Sequence, residues 1–183
     1  MPKIVAQKTE WIELGFELFT KYGAQGVNVE KMADKLKCNR SSFYWHFNSK
    51  KEFIDQVIEN WKETDTDQII RLTEQVDTPE KQLEVLVKTV FKKDPNIDFV
   101  FYLKRYALQQ ARVQTIIDEV DNHRINYVAT LLQNLGSEER EAYIKAQVFY
   151  KYLIGYHEMI RYKKQDKNYV QQVYEELKYI LPQ

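Results

Sequence analysis

The chain has 183 residues, and its 27 lysine and arginine residues balance its 27 aspartate and glutamate residues. A formal net charge of zero excludes any argument from whole-chain charge for binding to nucleic acid or to a membrane. The single cysteine excludes an intramolecular disulfide, and the lack of both a secretion signal and a long apolar run predicts a cytoplasmic protein.

The pattern of apolar residues predicts an all-α fold. The chain contains only five glycines and four prolines, and no stretch shows the sustained alternation that is typical of strands. We predict nine helices, which in chain order cover residues 4–22, 28–36, 39–47, 49 onward, 78–91, 94–111, 113–135, 137–163 and 166–181.

Capping residues mark several of these helix ends. Gly23 follows the last residues of the first helix and is predicted to end it. Asn28 and Asn39 can cap the second and third helices, because a short polar side chain accepts a hydrogen bond from the first turn. Ser49 and Glu52 have the spacing of a capping box for the fourth helix. A capping residue before a proline predicts the starts of the fifth and sixth helices, at Thr78–Pro79 and Asp94–Pro95.

The stretch KMADKLKCNRSSFYWHF, residues 31–47, combines a short apolar helix, a polar break and four aromatic rings within five residues. At about 100° per residue, Phe43 and Phe47 fall on one face of the third helix, whereas Trp45 points the opposite way and Tyr44 lies at the flank. A large exposed aromatic side chain is unusual unless it contacts a partner. The segment therefore predicts a helix-turn-helix, because two short helices are joined by a tight turn. The second of these helices begins with polar residues, which predicts that it enters the major groove of DNA.

Residues 11–54 resemble the DNA-binding domain of the tetracycline-repressor (TetR) family of bacterial transcription regulators. The most specific part is the family pattern LYxHFxxK, which is met here by Phe43, Tyr44, His46, Phe47 and Lys50. The resemblance implies a DNA-binding domain over residues 1–50 and a helical ligand-binding and dimerisation domain over residues 51–183. It also implies ten DNA-contacting residues, with Arg40 and Ser41 as the base readers: Asn28, Lys37, Asn39, Arg40, Ser41, Ser42, Tyr44, Trp45, His46 and Lys50.

Two residues depart from the family pattern in the turn of this motif. The family usually has glycine where Lys37 stands, and a lysine in left-handed backbone conformation costs on the order of 1 kcal/mol. A branched apolar residue usually stands where this chain has Cys38. Cys38 is either a redox sensor or a small buried apolar residue of the turn.

The C-terminal part resembles the regulatory domain of the same family in its spacing, and this resemblance implies a four-helix interface between two copies. In the eighth helix, apolar residues step by four and three along one face. The predicted interface residues are Ala142, Ala146, Phe149, Leu153, Tyr156, Ile160, Val173 and Leu177. The alternative is that this face is ordinary intramolecular core.

The middle of the chain is rich in tyrosines, whose hydroxyl groups are hard to bury in an apolar core. A ring-lined cavity would satisfy them and would suit a largely apolar effector whose acidic end binds an arginine or a histidine. The predicted pocket residues are Phe91, Tyr102, Arg105, Tyr106, His123, Tyr127, Phe149 and His157. The alternative for each is plain helical core.

Enzymatic function is not predicted. The segment HEMIR begins like a zinc-protease motif, but Arg161 stands where the second histidine ligand would be. With three histidines and one cysteine, we expect no metal and no cofactor. The expected partners are operator DNA, a second copy of the chain and a small effector, and the expected function is that of a repressor. A helical adaptor that binds protein rather than DNA is the alternative.

Overall fold

The computed structural model describes residues 5–93 and 97–179, and these residues form an all-α fold, as predicted. Within them lie nine α-helices and one 3₁₀-helix, Gly23–Gly26. The α-helices are α1 (Lys8–Tyr22), α2 (Val29–Lys35), α3 (Arg40–His46), α4 (Lys50–Thr73), α5 (Pro79–Val90), α6 (Ile97–Ala107), α7 (Ala111–Asn134), α8 (Glu139–Ile160) and α9 (Tyr169–Leu177). No helix among the described residues is long and apolar enough to cross a membrane.

Most of the predicted helix signals are confirmed. Gly23 follows α1 with a φ of 65°, a conformation that glycine adopts without a Cβ clash. The side chain of Asn28 accepts a hydrogen bond from the amide of Lys31 at 2.9 Å. Ser49 accepts one from the amide of Glu52 at 3.1 Å. Local side-chain chemistry therefore fixes the starts of α2 and α4.

Other helix starts differ in detail from the prediction. The first helix was predicted from residue 4, whereas α1 begins at Lys8 with Gln7 as its N-cap. Asn39 occupies the N-cap position of α3, but its side chain makes no capping hydrogen bond. The start of α8 was predicted at Ser137, whereas Glu138 is the N-cap and accepts from the amides of Arg140 and Glu141. The predicted signal at Asp94–Pro95 and the predicted helix end at Leu181 lie outside the described residues.

The chain divides into two compact units. The first contains the described residues of 1–64 and 95–116, and the second contains those of 65–94 and 117–183. Helices α4 and α7 each contribute residues to both units. The predicted functional division at residue 50 stays a prediction, because compactness alone assigns no function.

Aromatic rings form the core of the first unit. The Phe43 ring lies 5.3 Å from Trp11 and 5.2 Å from Phe53, measured between ring centroids. Gly15 of α1 permits this packing, because a Cβ there would lie 2.3 Å from the ζ carbon of Phe53. The third helix is therefore held to α1 and α4 by its buried rings.

The core of the second unit contains residues that the sequence assigned to an interface. Ala142, Ala146, Phe149, Val173 and Leu177 are all buried in the core cluster of this unit. Their side chains are covered by the same chain, so the interface prediction is wrong for these five and the alternative of intramolecular core holds. Leu153 and Tyr156 are partly buried and pack against the same cluster, and Ile160 is half-buried.

Candidate nucleic-acid interface

Helices α2 and α3 form a helix-turn-helix, with the turn at residues 36–39 between them. Met32 and Ala33 of α2 and Phe43 of α3 are buried, and Phe47 directly after α3 is buried as well. These apolar side chains fix α3 to the first unit by one face. The opposite face of α3 is left exposed to solvent.

The exposed face of α3 carries the predicted aromatic residues. Trp45 is 81% exposed and Tyr44 is 48% exposed, whereas Phe43 and Phe47 have almost no accessible surface. The predicted division of the four rings into two buried and two exposed residues is therefore confirmed. An indole this exposed stabilises little in the isolated chain and is available to a partner.

Arg40 lies at the start of α3 between two polar groups. Its Nη1 atom lies 2.9 Å from Oε1 of Glu30 on α2, and Nη2 donates to the Tyr44 hydroxyl at 3.1 Å. Hydrogen bonding to Tyr44, together with the charge of Glu30, raises the pKa of Arg40 further above its ordinary value, so the guanidinium stays charged. The sequence indicated Arg40 but not Glu30, because spacing along the chain does not show which residues of two helices meet.

Ser42 and His46 have a different role from the predicted one. Ser42 is buried, and its hydroxyl accepts from the amide of Ala6 at 3.1 Å and donates to the Ala6 carbonyl. The Nε2 atom of His46, which is half-buried, lies 2.9 Å from the same carbonyl and donates to it. The predicted DNA contact of Ser42 does not fit this structure, because its hydroxyl is buried and hydrogen-bonded. His46 likewise uses one ring nitrogen to hold the segment before α1.

The remaining predicted residues lie at or near the surface of the helix-turn-helix. Ser41, Asn39, Lys37 and Lys50 are exposed, and Asn28 is half-buried because its side chain caps α2. Cys38 is a free, half-buried cysteine, which fits the small apolar residue of the turn better than an exposed redox sensor.

Lys37 has the left-handed backbone conformation expected from the family's usual glycine at this place, with a φ of 51°. We expect Lys37→Gly to raise the free energy of unfolding by up to about 1 kcal/mol, because glycine removes the Cβ strain. Chemical denaturation followed by circular dichroism measures this change. Lys31→Gly is the control, because it places glycine inside α2 and should destabilise by about 1 kcal/mol. A destabilised Lys37→Gly variant would contradict the strain argument.

The predicted ligand-pocket residues are divided between the two units. Tyr102, Arg105 and Tyr106 belong to the first unit, and the other five belong to the second. In the first unit, Arg105 is exposed and its guanidinium lies over the Phe101 ring, 5.7 Å from its centre. Tyr106 packs edge-on against Phe19 at 6.1 Å. The predicted alternative of helical packing describes Tyr106 well.

In the second unit, the predicted pocket residues take mainly structural positions. Phe91 and Phe149 are buried ring to ring at 5.6 Å, and His157 contacts the Val90 carbonyl through Nε2 at 2.6 Å. His123 is largely exposed, with Nε2 3.6 Å from Asp67. An open groove of about 460 Å³ lies elsewhere in this unit, and it is lined by Asn126, Ala129, Thr130, Gln133, Glu138, Glu139, Arg140 and Tyr143.

Burial raises the pKa of Tyr127, the remaining predicted pocket residue, above its ordinary value. The same effect is larger at Tyr150, whose pKa rises to about 12. The Tyr150 hydroxyl donates to Asp121 at 2.6 Å and accepts from Arg124 at 3.3 Å. The Tyr150 hydroxyl is therefore satisfied within a polar network of the protein itself, whereas the buried hydroxyl of Tyr127 makes no hydrogen bond within the part of the chain that the structure describes. Among the described residues, no group of three or more histidine, cysteine, aspartate or glutamate side chains is placed to hold a metal ion.

A family model matches the helix-turn-helix and parts of its two flanking helices. The model for bacterial regulatory proteins of the tetR family matches residues 12–57, which include α2, α3, the turn and the exposed face of α3. Over residues 12–57 the chain is similar to bacterial regulatory proteins of the tetR family. Family members are regulatory proteins, in agreement with the expectation that this chain is not an enzyme.

Individual similar proteins match this chain either over a short stretch or at low identity. The tetracycline repressor protein class G of Vibrio anguillarum is 33% identical over 48 residues, which cover 26% of this chain and 23% of that protein. A solved putative regulator of the TetR/AcrR family has a TM-score of 0.80 at 18% identity and covers 96% of this chain and 98% of its own. A putative regulator from Saccharomonospora viridis in complex with choline has a TM-score of 0.79 at 13% identity, covering 96% and 98%. At these identities the solved structures show a shared fold.

Proposed function

We propose that the protein is a transcription regulator that binds double-stranded DNA in a sequence-specific manner. The observation that carries this proposal is the exposed face of α3, where Arg40, Ser41, Tyr44 and Trp45 lie together at the surface of a helix-turn-helix. The match to the family model supports the same reading. A protein-binding adaptor has no need of an exposed arginine and two exposed rings on the second helix of such a motif.

Different residues of this surface have different proposed roles. Arg40 and Ser41 are at the N-terminal end of α3, the part of a recognition helix that meets base edges. Tyr44, Trp45, Lys37 and Lys50 are proposed to contact the phosphate backbone, because hydroxyl, indole and ammonium groups donate to phosphate oxygens. Roles for Asn28 and Asn39 in DNA binding stay predictions from the resemblance.

Homodimerisation is the second part of the proposal, and the exposed face of α8 supports it. Ile144, Val148 and Met159 are 51%, 40% and 68% exposed, and Gly155 has no atom within 4 Å of the place where a Cβ would lie. At 100° per residue these four residues share one face, opposite the buried face of Ala142 and Ala146. An exposed apolar face with a small residue near its middle suits close packing against its own copy. A two-fold dimer reads a palindromic operator.

The third part is that the protein represses transcription and is released from its operator by a small, largely apolar effector. The family resemblance supports this part, and the similar protein from Saccharomonospora viridis was solved with choline. An effector that binds better to the form with low DNA affinity shifts the population toward that form. A thermal-shift screen of aromatic acids, fatty acids and choline, followed by measurement of operator release for each hit, tests this part. Hits that leave DNA affinity unchanged would contradict ligand-gated release.

Selection from random duplexes tests the DNA-binding proposal. The expected result is a near-palindrome with half-sites about one helical turn or somewhat more apart. Failure to enrich any sequence at any salt concentration would refute specific DNA binding. Capture of one defined protein partner through the α3 surface, with no enriched duplex, would instead establish the adaptor.

A further inference from the structure

Glu30 of α2 contacts Arg40 of α3 directly, although neither sequence nor family model singles it out. The Glu30 carboxylate lies 2.9 Å from Nη1 of Arg40, and the two side chains are 60% and 57% exposed. On the other side, the Tyr44 hydroxyl accepts from Nη2 at 3.1 Å, and the guanidinium carbon lies 5.5 Å from the centre of the Tyr44 ring. The guanidinium is therefore held between two helices by three contacts.

An ion pair this exposed contributes little to folding stability. The ion pair lies at the N-terminal end of α3, where the base contacts are proposed, and this position points to a role in DNA recognition instead. Arginine has five N–H donors in a planar fork. The contacts with Glu30 and Tyr44 use two donors, which leaves enough for a bidentate bond to a base.

We propose that Glu30 is a positioning residue that makes Arg40 selective for a base edge over the phosphate backbone. This inference rests on the proposed DNA-binding function. The carboxylate restrains the guanidinium before DNA arrives, so fewer side-chain conformations are lost when Arg40 meets its base. To reach a phosphate, Arg40 has to leave Glu30, and the carboxylate itself repels the phosphate. Glu30 thus disfavours a contact of Arg40 with phosphate and favours its contact with a base.

The base with the required chemistry is guanine. Its O6 and N7 atoms are two adjacent acceptors in the major groove, and they match the two donors of an arginine fork. In this arrangement, the Glu30 carboxylate does not contact the base and keeps its contact with Nη1 of Arg40. We therefore expect one guanine in each half-site to depend on Glu30.

Glu30→Gln is the test, because it keeps the shape of the side chain and removes its charge. Relative to wild type, affinity for the selected palindrome should fall and affinity for a scrambled duplex of equal length should rise. Each affinity should change about two- to fivefold, which corresponds to the free energy that an exposed ion pair contributes. Fluorescence anisotropy with both duplexes, at two salt concentrations, gives the specificity ratio directly.

Two controls separate this inference from a general charge effect. Glu63→Gln removes an exposed glutamate of α4 in the same unit, and it should leave the ratio of the two affinities unchanged. In an Arg40→Ala background, Glu30→Gln should no longer change the ratio, because the group that Glu30 positions is absent. Glu30→Ala gives a second variant that also removes the carboxylate, and circular dichroism verifies that each variant is folded.

The outcomes distinguish this inference from the function on which it rests. If wild-type protein enriches no duplex, the proposed function fails. If wild type is selective but Glu30→Gln keeps its specificity ratio, or tightens both duplexes equally, Glu30 does not position Arg40. A fall in the ratio that persists in the Arg40→Ala background would also overturn the inference.

Discussion

Val148→Glu is expected to give folded monomers. Their affinity for a palindromic duplex should be lower than that of wild type by a factor of about 100 or more. Val148 lies on the exposed apolar face of α8, so the charge is tolerated in the free monomer. In the proposed homodimer, the two-fold axis brings two carboxylates into one apolar contact, where desolvation and repulsion act against association. Light scattering at micromolar concentration measures the mass, and anisotropy measures the affinity.

Ala146→Glu is the matched variant for this experiment, two residues away on the same helix. Ala146 has no accessible surface and belongs to the core cluster of the second unit. Because a charge placed there has no water and no partner, we expect a loss of more than about 4 kcal/mol and an unfolded second unit. A folded, monomeric Ala146→Glu protein would show instead that the face of Ala142 and Ala146, as first predicted from the sequence, forms the dimer interface. A dimeric Val148→Glu protein would show that the exposed face of α8 is not the dimer interface.

The sequence predicted the helices well because their signals are local. The Asn28 cap and the Ser49 cap each act within one helical turn, and Gly23 ends α1 through its own backbone conformation. These three predictions needed information from only a few neighbouring residues. The left-handed turn at Lys37 was expected for a different reason, because the resembled family usually has glycine there, and its φ of 51° agrees.

The two faces of α8 show where local information ends. One face carries Ala142, Ala146 and Phe149, and the opposite face carries Ile144 and Val148. Both have helical spacing and apolar side chains, so periodicity cannot tell which one meets α5, α7 and α9 of the same chain. Packing buried the face with small residues in the unit's core and left the other exposed. The face predicted from the sequence to form the interface is core.

The candidate DNA site shows the same limit at the level of single residues. Burial of Phe43 and exposure of Trp45 follow from their angular positions on one helix. The hydrogen bonds of Ser42 with Ala6 join residues 36 positions apart, and the Glu30–Arg40 pair joins two helices. Contacts of this kind depend on tertiary packing. A polar residue near a recognition helix can therefore serve the fold instead of the ligand.

Arg40→Ala is expected to weaken binding to the selected palindrome by about 5- to 150-fold, equivalent to roughly 1 to 3 kcal/mol. The loss should be confined to sequences with the preferred base at one position of each half-site. Lys50→Ala is the comparison, because Lys50 is an exposed lysine at the start of α4 and its proposed contact is a phosphate.

The Lys50→Ala variant should bind all sequences more weakly and flatten the salt dependence by about one unit, with no change in base preference. Repeating the selection with each variant separates the two effects, since only Arg40→Ala should relax one position of the enriched motif. Because Arg40 is exposed and bonded only to Glu30 and Tyr44 in the described contacts, its removal should leave the unfolding transition almost unchanged. An Arg40→Ala protein that weakens every duplex alike would make Arg40 a phosphate contact. Base reading would then pass to Ser41, the other residue proposed for that role at the start of α3.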